Sequence, residues 1–567
     1  MGLTSALGIG RSALAAYQAA LQIVGNNIAN VGTAGYTRTS ADLNAIPGVN
    51  LGFGQVGNGV NLGGVRRAVS EAINARLRTA ASDKQSASAQ QSNLDRIEGI
   101  VDPLGDVNLG SLLGDFFKSL NDLQNNPQNS ATRGIVISTA TGLAQHIRDI
   151  RSDLLAVRDD ANTEIQQATQ RADDLATKIA DLNTQITTAE AGGGGPASAL
   201  RDQRDQLLSQ LSEIFAINVR EQPSGAVNVY IGNEALIQFG QSFGLTTSTE
   251  LNSDGLATAV VRFAHNRGPV PTSSGQVAGL IKTRDTDVGA QMSRLDSLAA
   301  ALISEINKIH AGGKGLTGFS NLTGISAVID PSVALSATDN GISFPPKTGS
   351  FFIDVKDASG AVVRTQVNID LDGIGADSTL NSVAADINAN VANVTATVLA
   401  DGRLQLSATG GCTFTFADDT SGFLAAMGLN TFFTGKNSLD IAVNPLISGN
   451  TNLLAAAVGD QPGDGANATA LASLQDQAVS SLGGASLNEY YTATVSTLAV
   501  SVSGANSAAD ASSTIFDSLT AQRESISGVN LDEETVSLIS YQRAFEGAAR
   551  YMTVVDDMLQ TLLTLVQ

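Results

Sequence analysis

The chain has 567 residues, with 33 Lys plus Arg against 54 Asp plus Glu, so a net charge of −21 leaves no basic field for polyanions and disfavours nucleic-acid binding. One cysteine, Cys412, excludes a disulfide framework, and three histidines beside a single thiol leave little material for a soft-metal site. The length predicts about three to five domains, and with 15% charged residues, 57 glycines and no Trp the chain is unusually rich in small and amide residues.

No window holds 18 uninterrupted apolar residues, so no membrane insertion is expected. The N-terminus has only Arg11 as a cation before Arg38, and Gln18 and Gln22 break its apolar stretch, which is not the layout of a Sec signal. If the protein leaves the cell, it is expected to use another route.

The first predicted element is a helix in which Leu7, Leu14, Leu21 and Ile28 recur every seven residues, with Tyr17, Val24 and Val31 at the companion position. That spacing is a coiled-coil seam. Ser5, Ser12, Gln18 and Gln22 fill its other faces almost without charge, so the helix is suited to packing on several sides. Gly25, Asn26, Asn27 and Asn30 favour a stop or bend there.

A second helical tract runs over about 147–186 with apolar or small residues spaced three and four apart, broken by one stutter at Val157, Ala161 and Ile165. Glycines and Pro196 interrupt it over 192–196, and Leu200, Leu207, Leu211 and Ile214 resume a helical face, which predicts a long hairpin. Alternation at Ile217 and Val219, and at Val227, Val229 and Ile231, predicts strands about a Pro-Ser-Gly turn, with β structure continuing to about Gly279. A helix carrying Leu295, Leu298, Leu302, Ile306 and Ile309 follows. Between about 327 and 439 the composition shifts to Asp, Gly, Thr and Val, with strands predicted at 351–355, 362–369 and 403–407 and a short helix at 380–389. Helix-compatible stretches return at 471–504 and 508–525.

The last element steps by seven through Leu531, Leu538, Phe545, Met552, Leu559 and Val566, with Tyr541, Ala548, Val555 and Leu562 at the second position. As a helix it would be a rod on the order of 54 Å long. Asn530 is a good N-cap, and Asp532, Glu533 and Glu534 suit the positive helix end. A single stripe buries too little to offset the backbone entropy of ordering so long a segment, so stable order is expected to require further chains.

The expected fold is therefore α+β and multidomain with a discontinuous, nested architecture. Residues 1–40 and 526–567 would pair as a terminal coiled coil, 41–326 and 440–525 would form a helical bundle with a β section, and 327–439 an inserted β-rich domain.

Chemical motifs are weak. Gly52, Gly54 and Gly57 have dinucleotide-loop spacing without the flanking strand and helix. Gly240, Ser242 and Gly244 match a nucleophile elbow, but threonines follow where the helix should begin, so a β-turn is the better reading and a serine hydrolase a remote alternative. Asp370, Asp372 and Gly373 lack the rest of a calcium loop. His146, His265 and His310 are scattered, and Cys412 reads as a small buried filler. No catalytic residue, metal or cofactor is expected.

The block Asn26, Asn27, Ile28, Ala29, Asn30, Val31 with Thr33, Gly35, Tyr36 and Arg38 resembles the N-terminal signature of the bacterial flagellar axial proteins, the rod, hook and hook-associated families. Gly528, Val529, Asn530, Leu531, Asp532, Glu533 and Glu534, then Tyr541, Gln542, Arg543, Ala544 and Phe545, resemble the matching terminal helix. Within that class the C-terminal block, the stretch from Gly279 to Asp285 and the run Gly428, Leu429, Asn430, Thr431, Phe432, Phe433, Thr434 and Gly435 are similar to the hook–filament junction subunits.

The resemblance implies a structural, secreted protein of the flagellum, exported through the flagellar type III apparatus with a cytoplasmic chaperone. Its terminal helices would line the axial tube. It would self-associate into a ring between the hook protein and a second junction protein. Leu7, Leu14, Tyr17, Leu21, Val24, Ile28, Leu538, Tyr541, Phe545, Met552, Val555, Leu559, Leu562 and Val566 are the expected polymerisation interface. A hook or distal-rod protein is the alternative within the same class.

Overall fold

The computed structural model describes residues 2–33, 35–50, 54–101, 105, 108–192, 195–461 and 463–565. In chain order these form α1 (Leu3–Ala29), β1 (Thr39–Ala45), β2 (Val49–Asn50), β3 (Gln55–Val56), β4 (Val60–Arg67), α2 (Glu71–Val101), α3 (Leu109–Asn125), α4 (Ser130–Glu190) and α5 (Ser198–Ile214). Next come β5 (Ile217–Glu221), β6 (Val227–Ile231), β7 (Glu234–Gln238), β8 (Gln241–Ser242), β9 (Leu245–Leu251), β10 (Ala257–Phe263), α6 (Gln276–Lys282) and, after a π-helical turn, α7 (Gly289–Ala311). Then follow β11 (Asn321–Ala327), β12 (Gly349–Lys356), β13 (Val362–Ile369), α8 (Leu380–Asn390), β14 (Val394–Val398), β15 (Arg403–Ala408) and β16 (Thr413–Ala417). The chain closes with α9 (Phe423–Ala426), β17 (Phe433–Thr434), β18 (Ala442–Val443), α10 (Pro445–Gly449), α11 (Ala466–Ser473), α12 (Leu487–Ser527) and α13 (Leu531–Leu565).

The fold is α+β, with long helices and several small antiparallel sheets. It divides into two compact units, one from Met1–Asn93, Asp160–Arg284 and Gly504–Gln567, the other from Leu94–Asp159 and Asp285–Ser503. These cuts fall inside α2, α4, the π-helical turn before α7, and α12.

Three helices differ from the sequence reading. The predicted 147–186 tract is the latter part of α4, which starts at Ser130, where Asn129 Oδ1 accepts the Ala131 amide as a cap. α2 carries Leu77, Ala80, Ala81, Leu94 and Ile97 inward but is filled between them with Ser, Ala and Gln, so it shows no continuous apolar stripe. The expected helix at 471–504 is broken after α11, where Gly483 and Gly484 both take positive φ, and α12 then runs unbroken through Gly504.

In the first unit, a four-stranded antiparallel sheet (order β5-β6-β7-β8) and the β9/β10 hairpin pack on the later half of α4 and on α5. Ile165, Ala168, Ala172, Ala176 and Ile179 supply the helix side, and Val229, Leu236, Ile237 and Phe263 the strand side. Polar side chains of α4 stitch the strand backbones: Asn183 donates to Val227 O and accepts its amide at 2.8 and 3.0 Å, and Asn162 does the same between Ala257 O and the Ala259 amide at 3.0 Å each. The strands thus satisfy edge groups on a helix, leaving less open edge.

In the second unit, two three-stranded antiparallel sheets (β11-β15-β14 and β13-β12-β16) and α8 enclose one apolar core including Phe351, Ile353, Phe414, Phe416, Leu404 and Leu406. At its base Lys314 and Asp354, each 3% exposed, form an ion pair of 2.5 Å. Arg364 grips the same carboxylate with two bonds of 2.9 Å, and Asp460 meets the Lys314 ammonium at 2.7 Å. Burial pushes the Asp354 carboxyl up, but hydrogen bonds and charge from Arg364 and Lys314 outweigh it and hold it below the usual carboxylate range.

The Gly428-to-Gly435 block, one of the runs that carry the resemblance, bolts the chain to α7 and α3. Asn430, at φ 52°, donates its amide to the carbonyls of His310, Ala311 and Gly313, closing the C-terminus of α7. Asn307 accepts both the Phe432 and Phe433 amides, and those rings pack on Phe116 at 5.9 Å.

His310 is fully buried within this cluster, with Nδ1 donating to Asn430 O at 2.8 Å and Nε2 accepting the Ala455 amide at 2.9 Å. That geometry requires the neutral ring. Burial, with a further contribution from the Arg133 charge, lowers its pKa to about 4, against the opposing bond to Asn430. The folded pKa lies below the unfolded value, so His310 contributes its full stability above about pH 6.5 and loses it progressively down to about pH 4, a span worth on the order of 3 kcal/mol. Thermal unfolding of His310→Gln between pH 7 and pH 4 should therefore fall less steeply than that of the parent, and parallel curves would remove this role.

Candidate functional site

The signature residues converge where α1, the strand start at Thr39 and the N-terminus of α13 meet in the first unit. The helices run antiparallel: Asn27 lies against Glu534, Tyr17 against Tyr541 with ring centroids 6.5 Å apart, and Gly10 against Met552. A Cβ on Gly10 would come within 2.3 Å of Met552 Sδ and 3.3 Å of Tyr551, so glycine permits the close approach.

Asn27 and Glu534 are the hub, 1% and 2% exposed. The Asn27 amide donates to Glu534 Oε2 at 2.9 Å and to Thr39 O at 2.8 Å. Its oxygen accepts the Tyr36 hydroxyl at 2.8 Å and the Thr39 amide at 3.1 Å. Arg38 Nε reaches Glu534 Oε1 at 2.7 Å, its Nη1 reaches Glu533 at 2.9 Å, and its backbone amide donates to Ser527 O. Burial pushes the Tyr36 phenol up, with the Asp202 and Glu534 charges adding to it against a bond from Thr39, so Tyr36 acts as a neutral donor. Arg67 of β4 pairs with Asp202 and Asp205 of α5 and fixes the other side of this segment.

The remaining signature positions shape the turns. Gly35 has φ 78°, and a Cβ there would strike Gln206. Gly528 closes α12 with its amide on Glu524 O, where a Cβ would meet that carbonyl at 2.4 Å. Asn530 caps α13 by accepting the Asp532 amide at 2.9 Å. Asn30 donates to Asn26 O, and both border a polar-rimmed groove of about 1040 Å³ with Ile23, Leu62 and Val65. Leu531 is exposed.

Of the seam residues, Val24 and Val555 are buried, whereas Leu7, Leu14, Tyr17, Leu21, Ile28, Leu538, Tyr541, Phe545, Met552 and Leu559 are half-buried and Leu562 is exposed. Val566 lies outside the described residues. The buried positions of α1 are Gly10, Ala16, Ala20, Val24 and Asn27, small residues displaced from the leucine row. The sequence reading missed Glu534 as the partner of Asn27, and it missed a second apolar row on α13. Val536, Ile539, Val554 and Met558 are 46–68% exposed. The signal for that row was present as apolar residues on two sides of one helix.

No chemistry gathers elsewhere among the described residues. Ser242 Oγ accepts the Gly244 amide, while His265 Nε2 pairs with Glu234, so the nucleophile–base bond of a hydrolase is not formed. Gly52 lies outside the described residues, and Asp370 and Asp377 accept backbone amides of their own loop. No group of His, Cys, Asp or Glu suited to a metal is found among the described residues, and no helix is long and apolar enough to cross a membrane. Cys412 is buried.

Comparison with known proteins bears on this arrangement directly. Residues 7–37 match the flagella basal body rod protein family and 521–565 the C-terminal family of flagellar basal body rod FlgEFG proteins, so both ends of the chain are those of a flagellar axial protein. Residues 94–324 match the helical domain of flagellar hook-associated protein FlgK. Flagellar hook-associated protein 1 of Salmonella typhimurium is 27% identical over 99% of this chain and all of its own length, and that of Escherichia coli K12 is also 27% identical over the same shares. The Bacillus subtilis protein of that name is 25% identical, covering 99% of this chain and 97% of its own. The chain is thus a homologue of these hook-associated proteins over nearly its whole length, with a match to the FlgK helical domain in its middle. The solved structure of the flagellar hook junction protein FlgK from Burkholderia pseudomallei shares its fold, with a TM-score of 0.54 at 16% identity over 80% of this chain and all of that one.

Proposed function

We propose that the chain is the structural subunit that joins hook to filament in the bacterial flagellum, assembling through its terminal helices. It is a structural protein and not an enzyme, as its relatives are. The observation that carries the assembly reading is the open apolar row on α13: the inner face is used by α1, and Val554 and Met558 on the outer face remain about half exposed. A row of this kind on a soluble chain marks an association surface.

In this reading neighbouring copies cover that row in a ring, with the predicted seam holding each copy's own helix pair. The division into terminal, bundle and 327–439 inserted parts places no chemistry in the insert, which we assign to the outer surface. Hook protein below, a second junction protein above, and a cytoplasmic chaperone with the type III apparatus during export are the proposed partners. Antiparallel ends without disulfides suit passage as an unfolded chain. Immunogold labelling of an epitope-tagged chain on flagella should mark a band at the end of the hook. Labelling along the whole hook or the rod would instead support the hook or distal-rod alternative.

A further inference from the structure

Most of the apolar contacts between α1 and α13 do not define one alignment. Both helices repeat every seven residues, and the α1 face is built from small residues that fit many neighbours. A shift of one heptad replaces one apolar residue by another along most of the seam, such as Leu538 by Phe545 or Met552 by Leu559. Beside the close approach of Met552 to Gly10, the contact whose partners are least interchangeable is the buried polar one, since a shift takes Glu534 and Asn27 out of reach of each other.

We propose that Glu534, through Asn27 and Arg38, is the positioning residue that selects the axial register of the α1/α13 pair, rejecting slipped pairings in this chain and between copies. A buried carboxylate left without its donors is strongly disfavoured, whereas a buried polar pair in good geometry contributes little beyond what an apolar pair would. The cluster therefore acts on the choice among alignments more than on overall stability. Its position at one end of the pair gives it leverage over the whole rod. Gly10 against Met552 lies about 26 Å away along α1, and the residue numbers there sum to nearly the same value as at Asn27 and Glu534, as one continuous antiparallel register requires.

The inference does not depend on where in the flagellum the protein sits, because it is read on the isolated chain. In a Cys412→Ala background, disulfide trapping compares Tyr17→Cys/Tyr541→Cys, which reports the native register, with Tyr17→Cys/Ala548→Cys, which reports a one-heptad slip. The ratio of the two yields, measured well below the melting transition of each variant, should fall about tenfold or more in Glu534→Leu. Glu534→Gln, which keeps shape and an acceptor for Asn27, should restore most of the ratio. An unchanged ratio in Glu534→Leu overturns the proposal. So does loss of both cross-links together, which would make the cluster a stability element, and so does a Gln variant as slipped as the Leu variant.

Discussion

Substituting Val554 and Met558 by Asp should leave the monomer's helix content and melting temperature nearly unchanged and abolish its incorporation into flagella. Both side chains are about half exposed, so their replacement in the monomer falls in the range of about 0.5 kcal/mol usual for surface changes. Once a neighbour covers the row, each new carboxylate is buried without a partner, a cost of several kcal/mol per site, which corresponds to incorporation reduced by more than about a hundredfold. Leu559→Asp with Leu562→Asp should behave differently in one respect. Leu559 is half-buried, so this pair should also lower the stability of the helical ends, while the sheets of the second unit stay folded. Circular dichroism of purified monomer and antibody detection in isolated flagella separate the two effects. Normal incorporation of Val554→Asp/Met558→Asp would show that the outer row is not an interface.

The second large effect is expected at the base of the two three-stranded sheets of the second unit. Asp354→Ala removes the carboxylate that Lys314 and Arg364 share and strands a lysine that is 3% exposed. Breaking such a pair costs about 3–5 kcal/mol. The loss should appear as faster amide exchange in β12, β13 and β16, which hydrogen bond through Asp354's own strand, and not in α13. Lys314→Met combined with Asp354→Leu removes both charges and should recover most of the loss, because the penalty comes from the unpaired charge and not from the absence of the pair. A single variant that loses less than about 1 kcal/mol would mean that water or Asp460, which also meets Lys314, already solvates the ammonium.

The comparison of these two sites shows what kinds of information a sequence carries. Asn530 as a cap, Asp532 to Glu534 at a helix start, the α8 helix and the 362–369 strand were all legible, because each depends on interactions within a few residues. Lys314, Asp354 and Arg364 were not, since ion pairing between residues far apart leaves no periodic trace. α2 was missed because its middle is filled by small polar residues whose burial depends on what lies opposite.

Composition and heptad spacing by themselves determined that this chain has two apolar-striped ends, no disulfide scaffold and no concentration of catalytic groups, and the Asn-rich and Gly-Val-Asn blocks determined its class. Only the tertiary structure decided that the ends run antiparallel within one chain, that Asn27 and not Asn26 or Asn30 is the buried member of its block, and that Glu534 is its partner. The reason is physical: a seven-residue repeat specifies which face of a helix is apolar but is blind to sliding along the axis. Alignment is chosen by a polar contact between residues 507 positions apart, which exists only once the chain has folded.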